Sequence, residues 1–420
     1  MKFTLLAMCL FLLWQQPVQA QLTLTEATPA EQKIAQARSA IEKNPQRYEA
    51  YAQLAMALAQ RARESSDTVY YKQAENALAE SFKLAPENLE ARRTQIWVML
   101  GKHEFADALK SAQALNQKIP DDLQTNAYLT DANIELGNYA DAEKSAQWLL
   151  DLRPGNIPGL SRAAYLRELF GDITGSLDLM LQAYQSTPPA EREDRAWLLT
   201  QMAHLHLLDA QPQLADALLT EALQVFPGYH YALAQLARVR QAQGRHRDEL
   251  ALLKKHVEVA PHAENFFYLG EVLAQQGLKR EASDIFQRFE AAALKESLTR
   301  DNANRELIFY YADHAHRPAD ALQLAKNEFS RRQDVFTLDA YAWALYRSGQ
   351  FGQASSIIES ALKIGVRDPK LHFHAGMIAL KQGQRTRAHK YLETALQYAP
   401  WADFAPAARA VLHPKANKSA

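Results

Sequence analysis

Histidine is the residue type whose spacing comes nearest to a chemical site in this chain. Side chains two positions apart on a helix point about 200° apart around its axis, so such a pair cannot share a metal ion. Three pairs have this spacing, namely His204/His206, His314/His316 and His372/His374. The first and third pairs fall inside predicted helices. His314 and His316 fall at a predicted helix end, where both rings can reach one ion, and are the candidate metal ligands.

Other catalytic patterns are absent from the sequence. It contains no phosphate-binding glycine loop, no His-Glu-x-x-His and no Gly-x-Ser-x-Gly. Asp121 and Asp122 follow Pro120 and precede a predicted helix, where carboxylates cap the first turn and favour the helix dipole. The sequence therefore predicts a protein that is not an enzyme and needs no cofactor.

The first twenty residues differ from the rest of the chain. Lys2 precedes an apolar run from Phe3 to Trp14, and small residues around Ala20 suit signal-peptidase cleavage. The apolar run is about 12 residues, whereas a helix needs about 20 to cross a bilayer. We expect a signal peptide over 1–20 and an exported protein, periplasmic or extracellular and associated with the cell envelope. An uncleaved membrane anchor is the alternative; in the expected mature chain there is no transmembrane segment.

Removing that segment changes the chemistry available to the protein. Cys9 is the only cysteine, so the mature chain would hold no thiol for disulfides, catalysis or metal binding. Loss of Lys2 takes the formal net charge from −1 to −2. A charge this close to zero gives no indication of a nucleic-acid partner, and none is expected.

Prolines at a constant interval indicate how the chain is organised. Proline cannot continue a helix, so evenly spaced prolines indicate the same helix end made repeatedly. A period of 34 residues is typical of a helix-turn-helix repeat. Intervals of 34 separate Pro86, Pro120, Pro154 and Pro188, and again Pro227 and Pro261.

The clearest repeat unit runs from Ala263 to Phe289. Its apolar and small residues recur at steps of three and four, and Gly277 separates two such runs. Small residues at Gly270 and Ala282 would let the two helices approach closely. A Leu-small pair, a glycine at the turn and an alanine in the second helix, with a proline at the end, resemble the tetratricopeptide repeat.

About ten such units fit between Pro45 and Pro400. The first, Pro45 to Pro86, carries an insert, and the unit around Ala321 lacks the terminal proline. The resemblance implies an all-α fold, a right-handed superhelical α-solenoid in which each repeat packs on its neighbours. The predicted organisation is a signal peptide at 1–20, an N-terminal segment and capping helix at 21–45, the repeat solenoid at 46–400, and a capping helix with a short tail at 401–420.

The resemblance also implies a binding surface. The first helices of the repeats line a concave groove, which in such proteins takes an extended peptide or a partner helix. Relative to the small residue of each first helix, the next residue and the one three before should face the groove. Together with aromatic residues near the helix starts and neighbours one turn on, the predicted lining is Tyr165, Trp197, His204, Tyr231, Arg238, Phe267, Glu271, Phe336, Asp339, Trp343, Tyr346, Arg347, Phe373, Met377 and Lys381.

The two units that contain Trp343 and Phe373 combine aromatic and charged residues and are expected to hold the main recognition site. The predicted function is a non-enzymatic scaffold or assembly factor of the cell envelope that binds a protein or peptide. Alternatives are an accessory subunit of a polysaccharide or secretion system and a metal-handling envelope protein. The partner, the pathway and the oligomeric state are left open.

Overall fold

A computed structural model describes residues 27–297 and 304–414 of the chain. The predicted signal peptide lies outside the described residues. The described part folds into 22 α-helices. In chain order these are α1 Pro29–Lys43, α2 Tyr48–Ser65, α3 Val69–Leu84, α4 Leu89–Gly101, α5 Phe105–Lys118, α6 Leu123–Leu136, α7 Tyr139–Leu152, α8 Ile157–Leu169, α9 Ile173–Ser186, α10 Arg192–Leu208, α11 Pro212–Val225, α12 His230–Ala242, α13 His246–Val259, α14 Ala263–Gln275, α15 Lys279–Ser297, α16 Asn304–Asp313, α17 Pro318–Arg331, α18 Val335–Arg347, α19 Phe351–Leu362, α20 Pro369–Lys381, α21 Arg385–Tyr398 and α22 Ala405–Leu412.

Twenty of these helices form ten consecutive hairpins, from α2–α3 to α20–α21. The helix α1 packs on α2, and α22 packs on α21. Within the stack, the second helix of a hairpin packs on the first helix of the next, as α5 does on α6 and α17 on α18. The predicted all-α solenoid of about ten helical repeats is confirmed; its right-handed sense stays a prediction.

Side-chain caps and prolines set the helix bounds. The Asp122 carboxylate accepts a hydrogen bond from the Thr125 N–H at 2.8 Å and caps α6, which confirms its predicted role. Asn156 caps α8 in the same way, accepting from the Gly159 N–H at 2.7 Å. Pro120 and Pro154 lie between the end of one hairpin and these caps, so each new hairpin starts at a fixed offset from the last.

Small residues bring the two helices of a hairpin together. A Cβ at Gly270 would lie 2.6 Å from the Phe286 ring, and a Cβ at Gly376 would lie 2.6 Å from Leu392. Ala282, opposite Gly270 in the same hairpin, is buried. These close approaches explain why the sequence keeps small residues at the repeat period.

Successive coils of the superhelix touch one another. Arg63 forms ion pairs with Glu193 and with Asp194, the latter at 2.6 Å. The His230 Nε2–H donates to the Arg63 carbonyl at 2.9 Å, across 167 residues of sequence. The hairpin α2–α3 is thereby attached to the hairpins α10–α11 and α12–α13.

A second contact between coils joins the end of α6 and the start of α7 to the start of α18 and the loop before it. The Val335 N–H donates to the Tyr139 hydroxyl at 2.9 Å, and Arg332 lies 3.2 Å from Glu135. Gly137 has a φ of +82°, and a Cβ there would lie 2.5 Å from the Gln333 carbonyl. Only glycine permits both the backbone shape and the close approach.

A third contact joins Arg367 to Asp209 at 3.3 Å, and a fourth joins Gln275 to Asp403 at 3.3 Å. Because the coils meet in this way, the concave face forms a cavity that is partly open to solvent and has walls from more than one coil. Among the described helices, none is both long enough and apolar enough to span a bilayer.

Candidate functional site: the central cavity

The interior of the superhelix contains two adjoining lobes, with volumes of about 420 and 480 Å³. Both volumes fall in the range of sites that bind small molecules or peptide segments. Seven residues line both lobes and mark their junction. They are Gln235, Arg238, Gln241, Glu264, Phe267, Tyr268 and Lys370.

The first lobe is built from distant parts of the chain. One wall comes from the ends of α2 and α4, including Arg63 and Gly101, and the opposite wall comes from α12 to α14. Tyr231 of α12 lines this lobe with 41 % of its surface exposed. An aromatic side chain that is this accessible inside a cavity is available to a ligand.

Two histidines of the first lobe are buried and neutral. His230 and His256 stack with their ring centroids 6.0 Å apart. Burial lowers the pKa of His230 to about 4 and the pKa of His256 to about 3. Neither ring carries a charge at neutral pH, so these residues shape the wall without contributing to its electrostatic field.

The second lobe extends from the junction towards α16, α18 and the segment between α21 and α22. Its aromatic lining includes Phe309, Phe336 and Trp401. Burial and the charge of Glu264 raise the pKa of Glu306, while Arg305 lies 3.4 Å from Asp334. This lobe therefore has both charged and aromatic residues in its wall.

Most carboxylates of the lining already have a partner, and three of these partners are members of the His-x-His pairs. Glu168 lies 3.1 Å from His204 Nε2, and Asp339 lies 2.8 Å from His374 Nδ1. Glu271 pairs with His314. Burial raises the pKa of Glu271, but the hydrogen bond to His314 and the charge of Lys370 outweigh burial, so the net pKa is lowered. The histidine pairs thus hold the acidic lining in place.

This arrangement bears on the metal hypothesis. His314 is engaged with Glu271, and His316 sits in a turn at a φ of +53°. Within residues 27–297 and 304–414, no group of three or more His, Cys, Asp or Glu is placed to hold a metal ion. The described geometry gives the metal-handling alternative no support.

The predicted lining residues divide into two groups. Seven of them line the cavity, namely His204, Tyr231, Arg238, Phe267, Glu271, Phe336 and Asp339. Eight lie outside both lobes, namely Tyr165, Trp197, Trp343, Tyr346, Arg347, Phe373, Met377 and Lys381. Phe267 and Asp339 are buried in the cavity wall, at 2 % and 6 % exposure.

The predicted main recognition site is an internal packing cluster. Trp343 is only 6 % exposed and stacks on His374 at 4.0 Å and on Tyr346 at 4.7 Å. Its indole N–H donates to Asp313 at 2.9 Å, and Arg347 pairs with the same carboxylate. Trp343 was expected to line the groove, but it lies outside both lobes, and its neighbours on the adjacent hairpins cover it.

The remaining members of that group have ordinary structural surroundings. Phe373 stacks on Phe404 at 4.8 Å, and Met377 packs beside the same cluster. Tyr165 and Trp197 are partly buried against the core. Lys381 is exposed at the end of α20. A role for any of these in partner binding stays a prediction.

The cavity also contains residues that sequence reasoning missed. Tyr268, Lys370, Arg305 and Trp401 line it, but none occupies the positions that the register rule selects. Lys370 comes to lie beside α12 and α14 only through contact between coils. No signal within a single repeat could have identified it.

The ten antiparallel hairpins, the 34-residue spacing of the prolines from Pro86 to Pro188 and the close helix approach at Gly270 and Gly376 together decide the type of fold. The chain has a tetratricopeptide-type repeat fold. No protein-family model matches it, and no curated protein sequence does either.

Solved structures that resemble the fold are repeat proteins of low identity. The human IFIT1 dimer with PPP-AAAA shares 14 % identity, covering 89 % of this chain and 96 % of that chain, with a TM-score of 0.49. PilW, a type IV pilus biogenesis factor, shares 16 % identity over 48 % of this chain and 91 % of its own, with a TM-score of 0.40. A tetratricopeptide repeat protein from Parabacteroides merdae shares 17 % identity over 61 % and 97 %, with a TM-score of 0.35.

Proposed function

We propose that this protein is a non-enzymatic scaffold that holds a segment of a partner protein in its central cavity. The observation that carries the proposal is the cavity itself, whose two lobes have partly exposed aromatic residues and charged groups in their walls. Aromatic and arginine side chains are the types that anchor protein interfaces. Tyr231 and Arg238 of α12 supply both types at one place.

The cavity is suited to a segment of chain more than to a folded domain. Its lobes together measure about 900 Å³, which accommodates a short peptide. Contacts between coils fix its walls before a ligand arrives, and a preformed site lowers the entropic cost of binding. On binding, a flexible tail or loop of a partner would therefore lose most of its conformational entropy, while the scaffold would lose little.

We further propose that the scaffold works outside the cytoplasm, at the cell envelope. The support is the sequence of residues 1–20, with its charged start, short apolar run and small residues before the cleavage point. A mature chain without cysteine suits an oxidising compartment. Fractionation of cells that express the full chain, with N-terminal sequencing of the product, tests this part.

Site-specific photo-crosslinking tests the binding surface. A benzoylphenylalanine at position 231 would sit in the first lobe, and one at position 148 replaces Trp148, which is 46 % exposed on the second helix of its hairpin. The scaffold proposal predicts a crosslinked partner at position 231 whose yield falls when excess partner peptide competes. Crosslinks that form only at position 148, or equally at both, would contradict it.

A further inference from the structure

One histidine belongs both to a contact between coils and to the wall of the first lobe. His230, at the start of α12, lines that lobe, and its Nε2–H donates to the Arg63 carbonyl near the end of α2 at 2.9 Å. The Arg63 side chain forms ion pairs with Glu193 and Asp194 of α10. The Tyr229 hydroxyl donates to the Glu193 carboxylate at 2.8 Å. These contacts form the coil latch, which we define as Arg63, Glu193, Tyr229 and His230.

The hydrogen bond to Arg63 determines which nitrogen of His230 carries the proton. A carbonyl oxygen only accepts, so Nε2 holds the hydrogen and Nδ1 is the unprotonated nitrogen of the neutral ring. Nδ1 is buried and has no hydrogen-bond partner among the described residues, and only 2 % of the residue is exposed. A second proton on this ring would therefore be a buried charge without an acceptor, which is costly.

The groups around His230 leave that cost in place. Those that titrate, carry a charge or contact its neighbours are Arg63 of α2, Glu193 and Asp194 of α10, Phe226 at the end of α11, Tyr229 and Tyr231 beside it in sequence, His256 of α13, and His262 before α14. Arg63 already engages both carboxylates. Burial lowers the pKa of His230 to about 4; the hydrogen bond to Arg63 offsets part of this effect, and the charge of His262 adds to it.

Opening of the latch would remove the obstacle to protonation. When α2 moves away from α12, water reaches Nδ1 and the ring regains the ordinary histidine pKa near 6.5. Between about pH 4 and pH 6.5 the open form then binds more protons than the closed form. The closed contact is therefore most stable above about pH 6.5 and loses stability as the pH falls towards 4.

We infer that the coil latch is an acid-sensitive contact, whose release separates α2 from α12 and widens the first lobe while the hairpins stay folded. The ends of α2 and α4 form one wall of that lobe, and α12 to α14 form the other. Each hairpin packs mainly on its neighbours along the stack, so a contact between coils can open by itself. The inference concerns this contact and holds for any ligand; faster exchange of a bound peptide at acid pH would follow from it together with the proposed function.

Hydrogen exchange of the full chain at pH 7 and pH 5, corrected for the intrinsic exchange rates, tests the latch. From pH 7 to pH 5, protection at the end of α2 and at the start of α12 should fall together by about tenfold, because one buried ring gains a proton on opening. The hairpin α6–α7 contains no histidine and should change by less than about twofold. A loss confined to α2 would be fraying of that helix and would overturn the inference.

Two glutamine variants assign the effect to His230. In His230→Gln, the side-chain amide can still donate to the Arg63 carbonyl but cannot gain a proton, so protection of α2 and α12 should stay within about twofold between the two pH values. His246→Gln is the control, because the His246 side chain is 60 % exposed, and it should keep the wild-type response. The same fall in His230→Gln as in wild type would refute the role of His230.

The wild-type experiment decides the question even if His230→Gln does not fold. A loss of protection that is equal in α6–α7 and α12 would be global unfolding, and it would contradict a local latch. Because exchange is measured on the chain without a ligand, its outcome is independent of the photo-crosslinking test. Unchanged protection at pH 5 would remove the acid-sensitive latch and leave the scaffold proposal standing.

Discussion

Both the central cavity and the C-terminal aromatic cluster, which is Trp343 with Tyr346, Arg347 and His374, contain aromatic and basic residues. The two regions differ in whether the basic residues contact a carboxylate. In the cluster, Trp343 and Arg347 both contact Asp313, and stacked rings cover the indole. In the cavity, Arg238 and Lys370 have aromatic neighbours but no carboxylate contact among the described residues. Aromatic and charged residues on a first helix are therefore covered by their neighbours in one region and line a cavity in the other.

The largest expected effect concerns the packing role of the cluster. Trp343→Ala should lower the free energy of unfolding by about 3–5 kcal/mol, because it removes a buried indole and its stacking contacts. Stability in a repeat stack is local, so the loss should appear first in α18 and α20. Hydrogen exchange with chemical denaturation measures both.

Trp148→Ala is the matched control for that prediction, since Trp148 is 46 % exposed. It should change the free energy of unfolding by less than about 1 kcal/mol. Equal losses in the two variants would show that Trp343 is not part of the core.

The next effect concerns the contact between coils at Arg63, which lines the first lobe. Arg63→Met should cost about 2 kcal/mol, because Glu193 is buried and would keep only its hydrogen bond from the Tyr229 hydroxyl at 2.8 Å. Protection from hydrogen exchange should fall in both α2 and α10. Arg245→Met, which breaks an exposed pair with Asp248, should leave α2 and α10 as they were. Unchanged protection in Arg63→Met would mean that the coils are not coupled there.

Much of the fold was predictable from the sequence. The prolines at 34-residue spacing gave the hairpin period, and Gly270 with Ala282 gave the close approach within a hairpin. These features are local, since each depends on residues fewer than about 40 positions apart. Tyr231, Arg238 and Glu271 were assigned to the concave face for the same reason, and they line the cavity.

The rest depends on how small rotations between repeats accumulate. Whether Trp343 is covered depends on His374 and Asp313, which belong to the two adjacent hairpins. Whether Lys370 lines the same cavity as Arg238 depends on how the hairpins between α12 and α20 turn relative to one another. Neither relation has a signal within a single repeat, so the register rule assigned Trp343 to the groove and did not select Lys370.

A smaller effect follows from the buried histidines of the first lobe. The pKa of His256 is lowered to about 3 in the fold, whereas an unfolded histidine titrates near 6.5. Between these values the unfolded chain binds more protons, so stability rises with pH there and is lost as pH falls below about 6.5. His230, with a pKa of about 4, acts in the same direction.

The pH dependence of wild type alone does not measure the contribution of His256, because Glu306, with its raised pKa, changes stability with pH in the opposite direction. Comparison with a His256 variant isolates that contribution. From pH 7 to pH 5, wild type should lose about 1–2 kcal/mol more than His256→Gln does. Denaturant titrations at the two pH values provide the numbers. Parallel pH profiles for the two proteins would show that His256 is not held neutral by burial.

The measurement that most directly tests the difference between the two regions is peptide binding by two matched double variants. One removes the cavity cations, Arg238→Gln/Lys370→Gln, and the other alters the cluster conservatively, Trp343→Phe/Arg347→Gln. Binding of heptapeptides that wild type selects from a random library should weaken at least tenfold in the first and stay within about twofold of wild type in the second. Loss of binding only in the second variant would return the recognition site to the C-terminal cluster and contradict the assignment of peptide binding to the central cavity.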